Sequence, residues 1–89
     1  MAKLLTREEF GNLKHRDRVW IEWLFGTETQ EWTVDGSYKG PKSCIRKKII
    51  HEDNAGCLTW DIFDYDRDKE WRYWDSEPTL DEREDTPWT

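Results

Sequence analysis

The sequence predicts an all-β domain with short terminal helices, folded as a small antiparallel SH3-like barrel or a strongly curled five-stranded sheet. Three observations point there: five short strand-like runs at regular spacing, hairpin-type turns between them, and a helix-capping motif near each end of the chain. With no internal repeat or linker in 89 residues, one domain over 1–89 is expected, with a helix at 6–13, a β-barrel at 18–74 and a short helix at 79–85.

Thr6-Arg7-Glu8-Glu9 has capping-box spacing, in which a threonine hydroxyl accepts from the third helical amide and a glutamate reaches back. The helix it opens presents Phe10 and Leu13 on one side and is weakened by Gly11. A turn then feeds the first strand, where Val19, Ile21, Trp23 and Phe25 alternate with Trp20, Glu22 and Leu24, so the first set is expected in the core. Glu31 to Val34 begins a second strand, and Asp35-Gly36 and Gly40-Pro41 mark turns on either side of Tyr38. Ile45 to Ile50 reads as a third strand, Asn54-Ala55-Gly56 as a hairpin, and Cys57 to Phe63 as a fourth strand with Leu58, Trp60 and Ile62 inward. A charged loop leads to a fifth strand at Trp71–Trp74. Thr79-Leu80-Asp81-Glu82 is a second capping box, after which Trp88 is expected to fold back on the barrel.

Composition bounds the function. Seven tryptophans are more than so small a domain can enclose, because each indole buries roughly 150–250 Å² when packed. Four or five are expected to form most of the core, leaving the rest for recognition. Stability should be modest and helped by homo-oligomerisation. The net charge is −6: residues 1–60 hold ten Lys/Arg against nine Asp/Glu, and residues 61–89 hold four against eleven. That balance disfavours direct binding of duplex nucleic acid, which needs clustered cations to displace counterions. Cys44 and Cys57 form no disulfide framework or zinc pattern, and no apolar run approaches the ~20 residues of a membrane span. Two reduced cysteines, no membrane association and a cytoplasmic location are therefore expected.

No catalytic signature is present: neither a supported nucleophile arrangement nor a glycine-rich phosphate motif occurs, so a non-enzymatic protein is expected. Asp64, Asp66 and Asp68 alternate like the start of a calcium loop. The positions that would need Gly and Glu are Lys69 and Asp75, so a solvated loop is expected, with no metal and no cofactor. The mixture of cations and aromatics is more telling. Arg46 and Lys48 share a strand face, Arg72 and Trp74 share another, and Trp20 also projects away from the expected core. With Tyr38, these six residues are the candidate ligand site: indole or phenol rings stack a base while Arg and Lys hold phosphates. The alternative is that Arg72 lies on Trp74 or pairs with nearby acids. A second candidate is the acidic row Glu77, Asp81, Glu82, Glu84 and Asp85, which would meet a protein partner by imitating phosphate spacing.

Glu70-Trp71-Arg72-Tyr73-Trp74, then Pro78-Thr79, Arg83 and Pro87-Trp88, resembles the tail of small phage-encoded accessory proteins, and the entry from Leu13-Lys14 to Trp20-Ile21-Glu22-Trp23 is similar in style. The resemblance covers under half of the chain, and Tyr73 stands where a smaller residue, often Cys, is expected. It implies counter-defence function in the cytoplasm of an infected bacterial cell. Some such proteins form oligomers that sequester cyclic-nucleotide or ADP-ribose-type immune signals; others block a host protein directly. On the first reading Arg46, Lys48 and Arg72 hold phosphates while Trp20, Tyr38 or Trp74 stacks a base.

Overall fold

The structure is a computed structural model that describes residues 1–88. Helix α1 (Arg7–Gly11) precedes strands β1 (Arg18–Trp23), β2 (Thr29–Asp35), β3 (Arg46–Glu52), β4 (Leu58–Asp64) and β5 (Trp71–Trp74), and helix α2 (Leu80–Asp85) follows. All strand pairs are antiparallel, in the order β4-β3-β2-β1-β5. The sheet curls into a half-barrel whose two edge strands, β4 and β5, do not pair. Of the two expected architectures, the curled five-stranded sheet is the one formed.

Both helices begin where the capping boxes place them. Thr6 and Thr79 each accept from the amide three residues on, and Glu9 and Glu82 return the bond. Phe10 on α1 plugs the concave face among Val19, Ile21, Trp32, Ile49, Phe63 and Tyr73, with Leu5, Leu13, Ile45, Tyr65 and Trp71 around them. Where β4 and β5 fail to pair, rings span the gap: Phe63 lies edge-on to Trp71 at 5.5 Å and to Tyr73 at 6.1 Å. The N-terminal segment covers the β5 edge, with the Leu5 amide donating to the Tyr73 carbonyl and the Asp75 amide to the Lys3 carbonyl.

Two expectations about the core are corrected. Trp23 and Phe25 share the phase of buried Val19 and Ile21, yet they are 42% and 72% exposed. The strand outruns the core: β1 ends at Trp23, and only Trp71 of β5 lies across from it. In β4 the polarity is inverted. Leu58 and Trp60 lie on the outer face, 66% and 58% exposed, while Phe63 is buried. The cause is register. The tight turn after Glu52, with Gly56 at φ +83° and the Asp53 carboxylate accepting from the Ala55 and Cys57 amides, pairs Glu52 with Leu58. Because Ile49 faces inward, its partner Asp61 and the flanking Thr59 and Phe63 take the inner face.

Candidate functional site

The six candidate ligand residues fall into two separate groups. Trp20, Arg72 and Trp74 lie on the outer face of β1 and β5, as expected from the strand phase, but Arg72 and Trp74 are buried beneath α2 and the C-terminal segment. Glu22 organises this cluster. One carboxylate oxygen accepts from Arg72 Nε at 2.6 Å and Trp74 Nε1 at 2.9 Å; the other accepts from Arg83 Nε at 3.0 Å. The Arg72 guanidinium also donates to the carbonyls of Arg83 and Thr86 and lies between the rings of Trp74 and Trp88, 5.2 and 4.4 Å from their centroids. Burial pushes the Glu22 carboxyl upward, and the bonds from Arg72, Trp74 and Arg83 outweigh it, leaving it below the ordinary glutamate range. The expected outward projection of Arg72 and Trp74 is thus corrected: they clasp the C-terminus to the sheet. Their hydrogen-bonding capacity is spent inside the fold.

Tyr38 and Arg46 do come together, at the opposite end of the sheet, around Gly40 of the connection from β2 to β3, whereas Lys48, two residues along β3, turns to Asp35 and Trp60. The Tyr38 ring packs on Gly40 beside Arg46 Cβ, where a Cβ on residue 40 would meet the ring at 3.2 Å. Arg46 Nε donates to Asp64 Oδ2 at 3.1 Å. Lys48 Nζ lies 3.4 Å from Asp35 Oδ2 and 4.7 Å from the centroid of Trp60. Asp64 is held below the ordinary aspartate range, chiefly by Arg46 and against its own burial.

Beside Tyr38 and Arg46 lies a cleft of about 540 Å³ whose lining includes Lys14, His15, Lys39, Lys42 and Lys47 with the single carboxylate Asp35; Lys48 is not part of the lining. It adjoins a second hollow of about 640 Å³ against α1, in which Arg7, Arg46 and Lys47 face Glu8. The floor is rigid by construction. A Cβ on Gly36 would sit 2.6 Å from His15 Cβ, so only glycine lets the 14–17 turn approach β2 this closely, and the Gly36 amide donates to His15 Nδ1. Such a cationic pocket beside a tyrosine ring suits an anion attached to a planar group, at a volume typical of small-molecule sites.

Lys14, Lys39, Lys42 and Lys47 were not among the candidates picked from the sequence. The signal for the last three is simple: residues 36–51 hold five Lys/Arg and no Asp/Glu, in a chain of net charge −6, whereas Lys14 joins them only through the fold. The acidic row is divided as well. Glu77, Asp81, Glu84 and Asp85 are exposed, whereas Glu82 closes the α2 capping box and accepts from the Ala2 amide at 2.7 Å.

The Asp64–Asp68 loop uses its carboxylates on itself: Asp64 accepts from the Asp66 and Arg67 amides, Asp68 accepts from the Asp64 amide, and Asp66 pairs with Arg7. Among the described residues, no group of His, Cys, Asp and Glu is placed to hold a metal ion. Cys44 and Cys57 are unpaired among the described residues, in which no helix is long and apolar enough to cross a membrane. No protein-family model matches this chain, and no curated protein or solved structure is detectably similar to it. The site therefore rests on its geometry.

Proposed function

We propose that this chain is a non-enzymatic binding protein that sequesters a phosphate-bearing, nucleotide-derived signalling molecule, as in the phage counter-defence class that its sequence resembles. One observation carries the reading: an otherwise acidic protein concentrates its cations around a cleft walled by an aromatic ring. In this reading Arg46, Lys47, Lys39 and Lys42 hold phosphate oxygens and Tyr38 stacks the base. Lys48 sets the field behind them, while Arg72, Trp74 and Trp20 support the fold. Each charge-assisted bond from such a group contributes about 1.5–3 kcal/mol when partly desolvated.

Calorimetry against cyclic dinucleotides and ADP-ribose derivatives tests the reading. A stoichiometric exothermic isotherm with one member is expected, weakened at least tenfold in a Lys39→Glu, Lys42→Glu double variant. Both lysines are exposed, so the variant should unfold at the same temperature as the parent. A flat response across the panel at high micromolar ligand rejects the reading.

A second reading, a protein-directed inhibitor, is favoured by the orientation of Arg83. Its guanidinium turns in to Glu22 and the Thr27 carbonyl, so it does not interrupt the exposed carboxylates of Asp81, Glu84 and Asp85. Reversing those three to lysine should abolish capture of a stoichiometric host protein; undiminished capture removes this reading.

A further inference from the structure

We propose that β4 pairs with β4 of a second copy of this chain, antiparallel, across a two-fold axis centred on Trp60. The sheet treats its two edges differently. The β5 edge is covered by the N-terminal segment through backbone bonds at Leu5 and Asp75, whereas β4 pairs only with β3. The uncovered edge is lightly protected: Leu58-Thr59-Trp60-Asp61-Ile62 contains no lysine, no proline and no glycine, and its single charge is the inner-face Asp61.

The backbone points the right groups outward. In an antiparallel ladder the N–H and C=O of one residue point to the same side, and successive residues alternate. The Tyr65 amide donates to the Ile45 carbonyl and the Cys57 carbonyl accepts from the Asp53 amide, so odd-numbered residues of β4 face β3. Leu58, Trp60 and Ile62 therefore direct their backbone groups to the open edge. The Ile62 amide meets its neighbour's Asp61 Oδ1 at 2.8 Å, a local substitute that a partner strand can displace.

The side chains are self-complementary in one register. Centring on Trp60 sets Trp60 against the partner's Trp60, Leu58 against the partner's Ile62, and the Thr59 hydroxyl against the partner's Asp61 carboxylate. The outer face then joins two exposed apolar rows, Leu58 and Trp60 at 66% and 58%, into one continuous stripe. Shifting the centre to Asp61 would oppose two like charges, which disfavours that alternative. The inner face keeps a polar Thr–Asp pair on each side of the axis. A two-strand contact falls short of the roughly 1,200 Å² of standard stable interfaces, so a reversible dimer with micromolar or weaker affinity is expected. The pairing is separate from the cationic cleft and stands or falls independently of it.

Hydrogen exchange of the full chain between ~1 µM and ~1 mM tests the pairing without mutation. The Thr59, Asp61 and Phe63 amides should be protected throughout, whereas those of Leu58 and Trp60 should gain protection only as sedimentation shows dimer. In mixed-isotope samples a cross-copy Hα–Hα contact between Thr59 and the partner's Asp61 is expected. Trp60→Lys, at an exposed position, should keep the spectrum of a folded chain and remain monomeric. A monomer over the whole range, concentration-independent exchange at Leu58 and Trp60, or a dimer that survives Trp60→Lys would each overturn the proposal.

Discussion

Glu22 accepts from three side chains, more than any other carboxylate among the described residues. It is 4% exposed and receives Arg72, Arg83 and the Trp74 indole, so truncating it leaves two guanidinium groups without a counter-charge in a largely dehydrated setting. Glu22→Ala should cost about 3–5 kcal/mol in urea unfolding, the range found when one partner of a buried pair is removed. A loss below about 1 kcal/mol would show the cluster to be solvated in solution. Tyr73 makes the opposite case. Its hydroxyl is buried without a hydrogen-bond partner among the described residues, and burial raises its ionisation well above the ordinary phenol value. Tyr73→Phe removes an unmet donor while keeping the ring contacts with Phe10 and Tyr65. It should leave stability unchanged or raise it by up to about 1–3 kcal/mol in the same assay. Strand alternation alone places Arg72, Trp74 and Trp20 on one outer face. It cannot reveal that Arg72 is covered, because the cover comes from residues 80–88, tied to the sheet through Glu22 far away in sequence.

The helices are the most legible elements, because a capping box is local chemistry confined to four residues. Both form as the sequence implies. β4 is the least legible. Leu58, Trp60 and Ile62 outvote Phe63 in any count of apolar residues, but the preceding turn and the inward Ile49 decide the phase. Tertiary register overrides pattern there, and the exposed apolar row it leaves is what an edge-to-edge partner would use. The α2 cap links element to core: Thr79→Ala should cost about 1 kcal/mol through the lost cap alone. Because α2 covers Arg72 and Trp74, the same change should also speed quenching of tryptophan fluorescence by acrylamide. Unchanged quenching would mean that α2 is held by the Glu22 cluster and not by its own cap.

Across the whole molecule, charge sets the response to pH. Glu22, Asp64 and Glu82 all titrate below their ordinary values in the folded state: Glu22 through its donors against burial, Asp64 chiefly through Arg46, and Glu82 chiefly through the Thr79 amide. A carboxylate with a lowered folded value binds its proton more readily when unfolded. Its contribution is therefore fully present above the ordinary carboxylate range, about pH 4–4.5, and is lost as pH falls through the folded values. Melting temperature should hold or rise slightly between neutrality and pH 5, as the excess negative charge is relieved, and then fall steeply below pH 4. A melting temperature that stays level down to pH 3 would contradict the ion-pair geometry.

The same charge map separates a cationic end, at residues 36–51, from an acidic C-terminal face. The surplus of tryptophan also resolves at this scale. Trp32 and Trp74 are buried, Trp23 and Trp60 are exposed, and the anticipated indole–arginine grip is an internal clasp. In the proposed reading, recognition of an anion falls to Tyr38 and the lysines around Arg46. The most direct measurement is the thermal shift of the chain with phosphate-bearing nucleotide signals, beside the Lys39→Glu, Lys42→Glu variant. At ten times the dissociation constant, binding should raise the melting temperature by roughly 6–11 °C in the parent and much less in the variant. No shift with any nucleotide, or an equal shift in both proteins, would contradict a ligand site in the cationic cleft.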